Sequence, residues 1–366
     1  MYLTVLFYVF IAVILIEIIY FCLVIYSFSN SSNHFKKSNA AISLVLYTKN
    51  KAELLKKQLP IFLKQKHENY EIVLINHAST DNSLEVMEKF QKKNPTLKII
   101  DVKNNETFWA SKKYALTLGI KAAKHEQLVL SSIDYEPQST SWLEYMAGAS
   151  IEKPLVIGFK KFNQPKRNFF YHFFDFMHII KNYTLGKMGL HFNGDSANVS
   201  YTKTLFFSTN GFVHHMNIPF GETKLFTNEV AKKSNTTFCL HQDAEVAHAQ
   251  KPSFKSWFRE QTKNELTLRH CKIVPQLSNV LLFFFRLAFY ILGSILLIFG
   301  VQKIQFLTAI LITVRFLVQY VSFGIVAKKL NALKLIIALP LFELWHLATQ
   351  FIIFISSLKS KRLYWN

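Results

Sequence analysis

Cysteine is scarce in this chain. Its 366 residues hold three, Cys22, Cys239 and Cys271, far apart and without a CxxC pair. That spacing supports neither a zinc site nor a disulfide framework and agrees with a reducing compartment. Acidic residues are the second shortage: 23 Asp and Glu stand against 43 Lys and Arg, a formal net charge of +20. A basic chain of this kind suits an anionic membrane surface or anionic small substrates. Nucleic acid is the competing partner, but no recognised binding motif for it is present, so it is not expected.

What the chain has in abundance is long apolar runs. Half of its residues are hydrophobic. Residues 1–28 and about 277–358 are almost entirely apolar, while the middle is polar and lysine-rich. The opening run is long enough to cross a bilayer. It lacks a basic leading segment and a small-residue cleavage site, which argues for an anchor rather than a removed signal. Glu17 inside it is expected either to face other helices or to sit protonated in a tolerant single span. Lys36 and Lys37 follow the run, so the positive-inside rule places the middle domain in the cytoplasm.

Residues 277–300 and 304–326 can each span and are joined by a tight turn, predicting a hairpin. Arg286 and Arg315 within it are costly in lipid and should meet a partner helix, an acid or a lipid phosphate. The last run, 333–358, is interrupted by Pro340 and punctuated by Glu343, His346 and Gln350. The basic cluster after it predicts a cytoplasmic end, which favours a re-entrant or interfacial helix over a full span.

The middle segment alternates strand and helix. Buried-strand runs lie at 41–48, 70–76, 97–102 and 127–133, with helical spacing at 49–65, after 81, and at 111–125. Pro60 should bend or end the first of these helices. The alternation means a parallel sheet with helices on both faces, whose ligands bind at the carboxyl ends of the strands. Thr48, His77 and Asp134 sit at those ends. Residues 155–162 read as another strand. The aromatic run 166–183, flanked by Lys166, Arg167 and Lys181, reads either as a core helix or as one pressing its aromatic face into lipid headgroups.

Six segments together resemble family 2 glycosyltransferases, most closely the bacterial membrane-anchored members: ISLVLYTKN, EIVLINHASTDNS, SKKYALTLGIKAAKHEQLVL, FNGDSANVSYTKTLF, FGETKLFTNEV and, weakly, WFREQTKNEL. The resemblance covers residues 40–270. It implies a GT-A fold, an α/β Rossmann-like domain with a mostly parallel sheet, here between N- and C-terminal transmembrane helices. It also implies an inverting transferase that moves a sugar from a nucleotide-sugar donor to a lipid-linked or cell-envelope polysaccharide acceptor at a bacterial inner membrane. Membrane lipids are its surroundings. A divalent cation, Mg²⁺ or Mn²⁺, would meet the charge of the leaving diphosphate.

By the same resemblance, Thr48, Asn76 and His77 fall where the family holds the nucleoside, and Lys112 where it meets a phosphate. Ser132 and Asp134 occupy the two acid positions of the DxD motif, leaving Asp134 as the metal ligand. Glu222 is the candidate catalytic base, with Thr223 at the position where the family usually carries an Asp. Asp195, Gln261 and Lys263 fall on the acceptor side. Each has an ordinary alternative: Asp134 and Asp195 as turn residues, Glu222 as a solvated acid, His77 as a polar strand end. With so many motif acids replaced, a binding or scaffold subunit without turnover is the competing reading.

Overall fold

The computed structural model describes residues 2–30, 35–103, 111–161, 169–190 and 192–359. In chain order it contains α1 (Tyr2–Ser29), β1 (Ile42–Thr48), α2 (Ala52–Leu63), β2 (Tyr70–His77), α3 (Ser83–Gln91), β3 (Leu97–Val102), α4 (Lys112–Ala122) and β4 (Gln127–Ser132). The short β5 (Tyr135–Pro137), α5 (Trp142–Glu152), β6 (Leu155–Ile157), α6 (Phe169–Lys187), β7 (Val199–Thr202), α7 (Lys203–Ser208) and α8 (Glu222–Val230) follow. Then come β8 (Thr236–Phe238), β9 (Val246–His248), α9 (Phe254–Leu268), α10 (Ile273–Phe299), α11 (Gln302–Lys329) and α12 (Leu339–Lys359). The chain divides into two compact units: residues 33–163 with 192–271, and residues 1–32, 164–191 and 272–358.

The first unit is built on a seven-stranded sheet in the order β3-β2-β1-β4-β7-β6-β8. β1, β2, β3 and β4 are parallel, linked by α2, α3 and α4 as crossovers. β1 lies at the middle of this half and is buried on both faces, which explains its unbroken apolar run rather than an alternation. The sheet is mostly parallel, as expected: β7 alone runs antiparallel to its neighbours, β4 and β6, and β6 pairs parallel with β8. The strand expected over 155–162 is confined to Leu155–Ile157. Lys166 and Arg167 lie outside the described residues.

The core places Leu44, Leu46, Leu55, Leu59, Phe62 and Trp142 on one face of the sheet. Burying side chains of this kind stabilises by roughly 2 kcal/mol each. Trp142 donates its indole N–H to Asn198 Oδ1 at 3.1 Å, and Asn198 donates in turn to the carbonyls of Phe159 and Ala244. A polar group in the core is thus satisfied while it ties four segments together. Pro60 does not end α2, which runs on to Leu63. The carbonyl that loses its partner belongs to Lys56, an exposed residue open to solvent.

β5 and β9 form a separate antiparallel pair, with Tyr135 opposite His248. This ladder brings residues 246–248 beside the turn that carries Asp134. Ala249 N donates to the Asp134 carbonyl at 2.8 Å.

The second unit consists of α1, α6, α10, α11 and α12. Four of these helices, all but α6, are long and apolar enough to cross a membrane. The last apolar run is broken beside Pro340, as expected: Leu333–Ile336 form a short 3-10 turn, α12 begins only at Leu339, and Pro340 sits in its first turn, where its missing N–H would be unpartnered anyway. α6 buries its aromatic face against its own unit, with Phe173 on Phe342, Phe174 on His346 and Phe176 on Phe323. Phe170 on the same helix remains exposed.

Candidate active site

The carboxyl ends of β1 and β2 lie side by side, with Thr48 paired in register to Asn76. The loops beyond them are tied across. Asn50, at φ 52°, accepts from Thr80 N at 2.7 Å and gives its own N–H to Ser79 Oγ. Lys51 N donates to Ser83 Oγ, and Ala52 N to Asp81 Oδ2, each at 3.0 Å. The first residues of α2 are therefore held by side chains from the start of α3.

This frame leaves two polar atoms in want of a partner. Thr48 Oγ1 and Asn76 Oδ1 are both buried and, among the described residues, find no hydrogen-bond partner. Asn76 donates its Nδ2 to Asp101 Oδ1 at 2.7 Å, which fixes the amide so that its oxygen is the unsatisfied end. Unsatisfied buried polar atoms cost about 1–3 kcal/mol each, and they persist where a ligand supplies the missing bond.

Tyr47 stands between this corner and the rest of the site. Its hydroxyl pairs with His77 Nδ1 at 2.7 Å, and the Lys112 ammonium lies 4.9 Å from its ring centre. Burial, with the negative charges of Glu222 and Asp134, raises its pKa well above the usual phenol value. Lys112 forms an ion pair with Glu222 at the start of α8. Burial opposes the charge on Glu222, but Lys112 prevails and holds the carboxyl below its ordinary pKa. The helix N-terminus favours the same ionised form. The neighbouring Lys113 gives its ammonium to the carbonyls of Ile218 and Phe220, fastening the segment that leads into Glu222. Burial brings its pKa down to about 8, against a smaller upward pull from Glu222.

At the end of β4, Ser132 Oγ donates to Asp134 Oδ2 at 3.2 Å, and Lys51 Nζ lies 2.8 Å from Asp134 Oδ1. Lys160 lies 2.7 Å from Asp195 and 3.6 Å from Glu260, and it donates to Tyr135 OH at 3.1 Å. Burial works against both charges of the Lys160–Asp195 pair, yet each holds the other ionised, with the lysine raised and the acid lowered. His248, whose ring packs 4.6 Å from Tyr135, feels the charges of Lys160, Glu260, Asp195 and Asp134. Burial lowers its pKa, and Lys160 adds to that effect.

The expected residues thus fall into three neighbouring groups: Thr48, Asn76 and His77; Lys112 with Glu222; and Ser132 with Asp134. Asp195 joins through Lys160. Lys263 belongs with Lys112 and Glu222, whose charges act on it; burial comes first among the causes that lower its pKa. Gln261 does not join them: it is buried and accepts from Asn264 on its own helix. Tyr47, Lys51, Asp101, Lys113, Lys160, His248 and Glu260 were not singled out in the sequence. Tyr47, Lys113 and Glu260 carried a local signal, each standing next to a residue chosen from the sequence.

Residues 43–210 match the family Glycosyl transferase family 2. The match spans a little under half of the chain, and over it the domain resembles family 2 glycosyltransferases. Its fold is GT-A, and it is shared over 91% of this chain and 97% of the other with the mannosyltransferase PcManGT from Pyrobaculum calidifontis, a complex with GDP-Man and Mn²⁺. The TM-score is 0.58 and the identity 14%. S. aureus TarS 1-349 aligns over 89% of this chain and 93% of its own, with TM-score 0.44 and 14% identity. No curated protein matches the chain.

Hard cations want about six oxygen ligands, several of them anionic. Among the described residues no three His, Cys, Asp or Glu side chains converge to hold one. Asp134 is met by Lys51, Asp195 and Glu260 share Lys160, and Glu136 turns to Gln58 on α2 at 3.2 Å. One carboxylate already paired to the Lys51 ammonium, with a serine hydroxyl beside it, does not fit a protein-held Mg²⁺ or Mn²⁺.

Proposed function

We propose that the chain is a membrane-bound glycosyltransferase that takes a sugar from a nucleotide-sugar donor to a lipid-linked or cell-envelope polysaccharide acceptor. The observation that carries this reading is the pair of buried atoms at the strand ends, Thr48 Oγ1 and Asn76 Oδ1, unpartnered among the described residues, beside the Lys112–Glu222 pair. A nucleoside offers both donors and acceptors to the first pair. Its diphosphate suits the lysines next to it, and the acceptor hydroxyl needs a carboxylate base. Glu222 is that base: ionised, at a helix N-terminus, and held by Lys112. Asp195 and Lys263 lie on the acceptor side.

The long apolar helices put this chemistry at a bilayer, and Lys36 and Lys37 after α1 favour a cytoplasmic domain at a bacterial inner membrane. α12 acts as a re-entrant or interfacial helix. Glu343, near its start, bonds Arg315 midway along α11, so α12 begins partway down the hairpin.

The test is release of nucleoside diphosphate from UDP- and GDP-sugars by the purified full-length chain, with a bacterial membrane lipid extract as acceptor. Glu222→Gln should lower kcat about 10²–10⁴-fold with KM within a few-fold. Equal turnover by both proteins would remove Glu222 from the role of base. One observation favours a second reading, a binding subunit without turnover: Glu222 is neutralised by Lys112, and Thr223 beside it leaves its own hydroxyl unpartnered. That reading predicts nucleotide binding and no release of diphosphate from any donor.

A further inference from the structure

We infer that lysine ammonium groups, chiefly Lys51 with Lys112 and Lys160, meet the donor diphosphate in place of a protein-held divalent cation. The inference rests on reading the domain as a nucleotide-sugar enzyme. Three observations carry it.

The first is that the three acids at the strand ends and the start of α8 already bear a lysine: Asp134 with Lys51, Glu222 with Lys112, and Asp195 with Lys160. A dication arriving at Asp134 would have to displace Lys51 and then sit among like charges, where repulsion opposes it. A diphosphate meets the opposite field: the lysines attract it, and the acids are already compensated.

The second is where Lys51 stands. It is the residue immediately before α2, a helix of 12 residues, and its backbone N–H is pinned by Ser83. Its side chain reaches Asp134 while its residue also lines an open groove of about 480 Å³, together with Asn50, Glu53, Asp81, Asn82 and Gln250. Lys51 therefore stands both at the strand end and beside space in which a ligand can lie. Asp134 serves as the holder of that ammonium, and a lysine is an effective phosphate partner as a mobile point charge.

The third is the substitution at Ser132. A hydroxyl there donates to Asp134 at 3.2 Å and adds no negative charge, so the strand end carries the one carboxylate that Lys51 neutralises. Lys51 and Asp134 are both about half exposed, so their mutual attraction is weak and the ammonium can swing to a phosphate at little cost.

The test is calorimetric titration of the detergent-solubilised full-length chain with UDP, GDP, TDP and CDP, once in EDTA and once with Mn²⁺. At least one nucleotide should bind in EDTA with a Kd within about threefold of its value in Mn²⁺. Lys51→Ala should weaken that binding tenfold or more, and Lys51→Arg should restore most of it. Binding seen only with Mn²⁺ overturns the inference and leaves the nucleotide-sugar reading standing. Binding in EDTA that Lys51→Ala and Lys160→Ala leave unchanged also overturns it. No binding of any of the four nucleotides in either buffer overturns both. Melting curves of the variants confirm that each is folded, as expected for two partly exposed side chains.

Discussion

Glu245 carries a pH dependence that belongs to a single residue. Burial pushes its carboxyl up to about 7, with Lys161 pulling down and Asp243 pushing further up. The folded chain therefore holds a proton that the unfolded chain has already lost between about pH 4.5 and 7. The unfolded state binds fewer protons in that window, so stability falls as pH rises through it. A shift of this size corresponds to roughly 3 kcal/mol at most. Glu245→Gln removes the titration. In detergent, the variant should melt at the same temperature as the parent at pH 5 and several degrees higher at pH 8. An identical difference at both pH values would show that the residue does not titrate in this way.

At the scale of elements, the start of α8 decides where Glu222 points. Gly221 precedes the helix at φ 71°, a conformation costly for any residue with a side chain. A Cβ built there would lie 2.3 Å from Thr267 Cγ2 on α9. Gly221→Ala should thus lose about 1–3 kcal/mol, part from the backbone and part from the clash. The two parts separate in a double-mutant cycle with Thr267→Ala, which shortens the opposing side chain. A coupling of at least about 0.5 kcal/mol is expected from melts of the four proteins. Strict additivity would assign the whole loss to φ. The same element shows why sequence pattern reached only part of the site. Thr48, His77 and Asp134 were legible because strand ends follow from the βαβ alternation alone. Lys51 on Asp134, and Lys160 on Asp195, were not, because those pairings depend on how α2 and the β5–β9 ladder pack. No local periodicity records that. Lys160 lies 35 residues before its partner and outside any long strand.

At the scale of the whole molecule, the apolar helices carry a charge balance that the sequence half revealed. By sequence, Arg286 and Arg315 should meet a partner helix, an acid or a lipid phosphate, and Glu17 either faces other helices or sits protonated in a single span. The structure supplies Glu343 as the acid that joins them. Arg315 Nε donates to Glu17 at 2.7 Å, its Nη1 and Nη2 donate to the two oxygens of Glu343 at 2.8 and 3.0 Å, and Arg286 Nε lies 2.9 Å from Glu343. Gln319 and Tyr290 add hydrogen bonds to the same carboxylate, each at 2.9 Å. Two cations and two anions cancel, so the network costs its desolvation once and fixes the register of α1, α10, α11 and α12. Removing one member leaves a buried charge unmatched, which costs about 3–5 kcal/mol, whereas removing a matched pair leaves none. Arg315→Met alone should therefore destabilise the chain more than Arg315→Met with Glu17→Leu, since the double variant keeps Arg286 with Glu343 in balance. Melting temperature in detergent and the yield of chain in the membrane fraction read the difference. A double variant less stable than the single would mean that packing around these side chains, and not charge balance, sets the stability of the bundle.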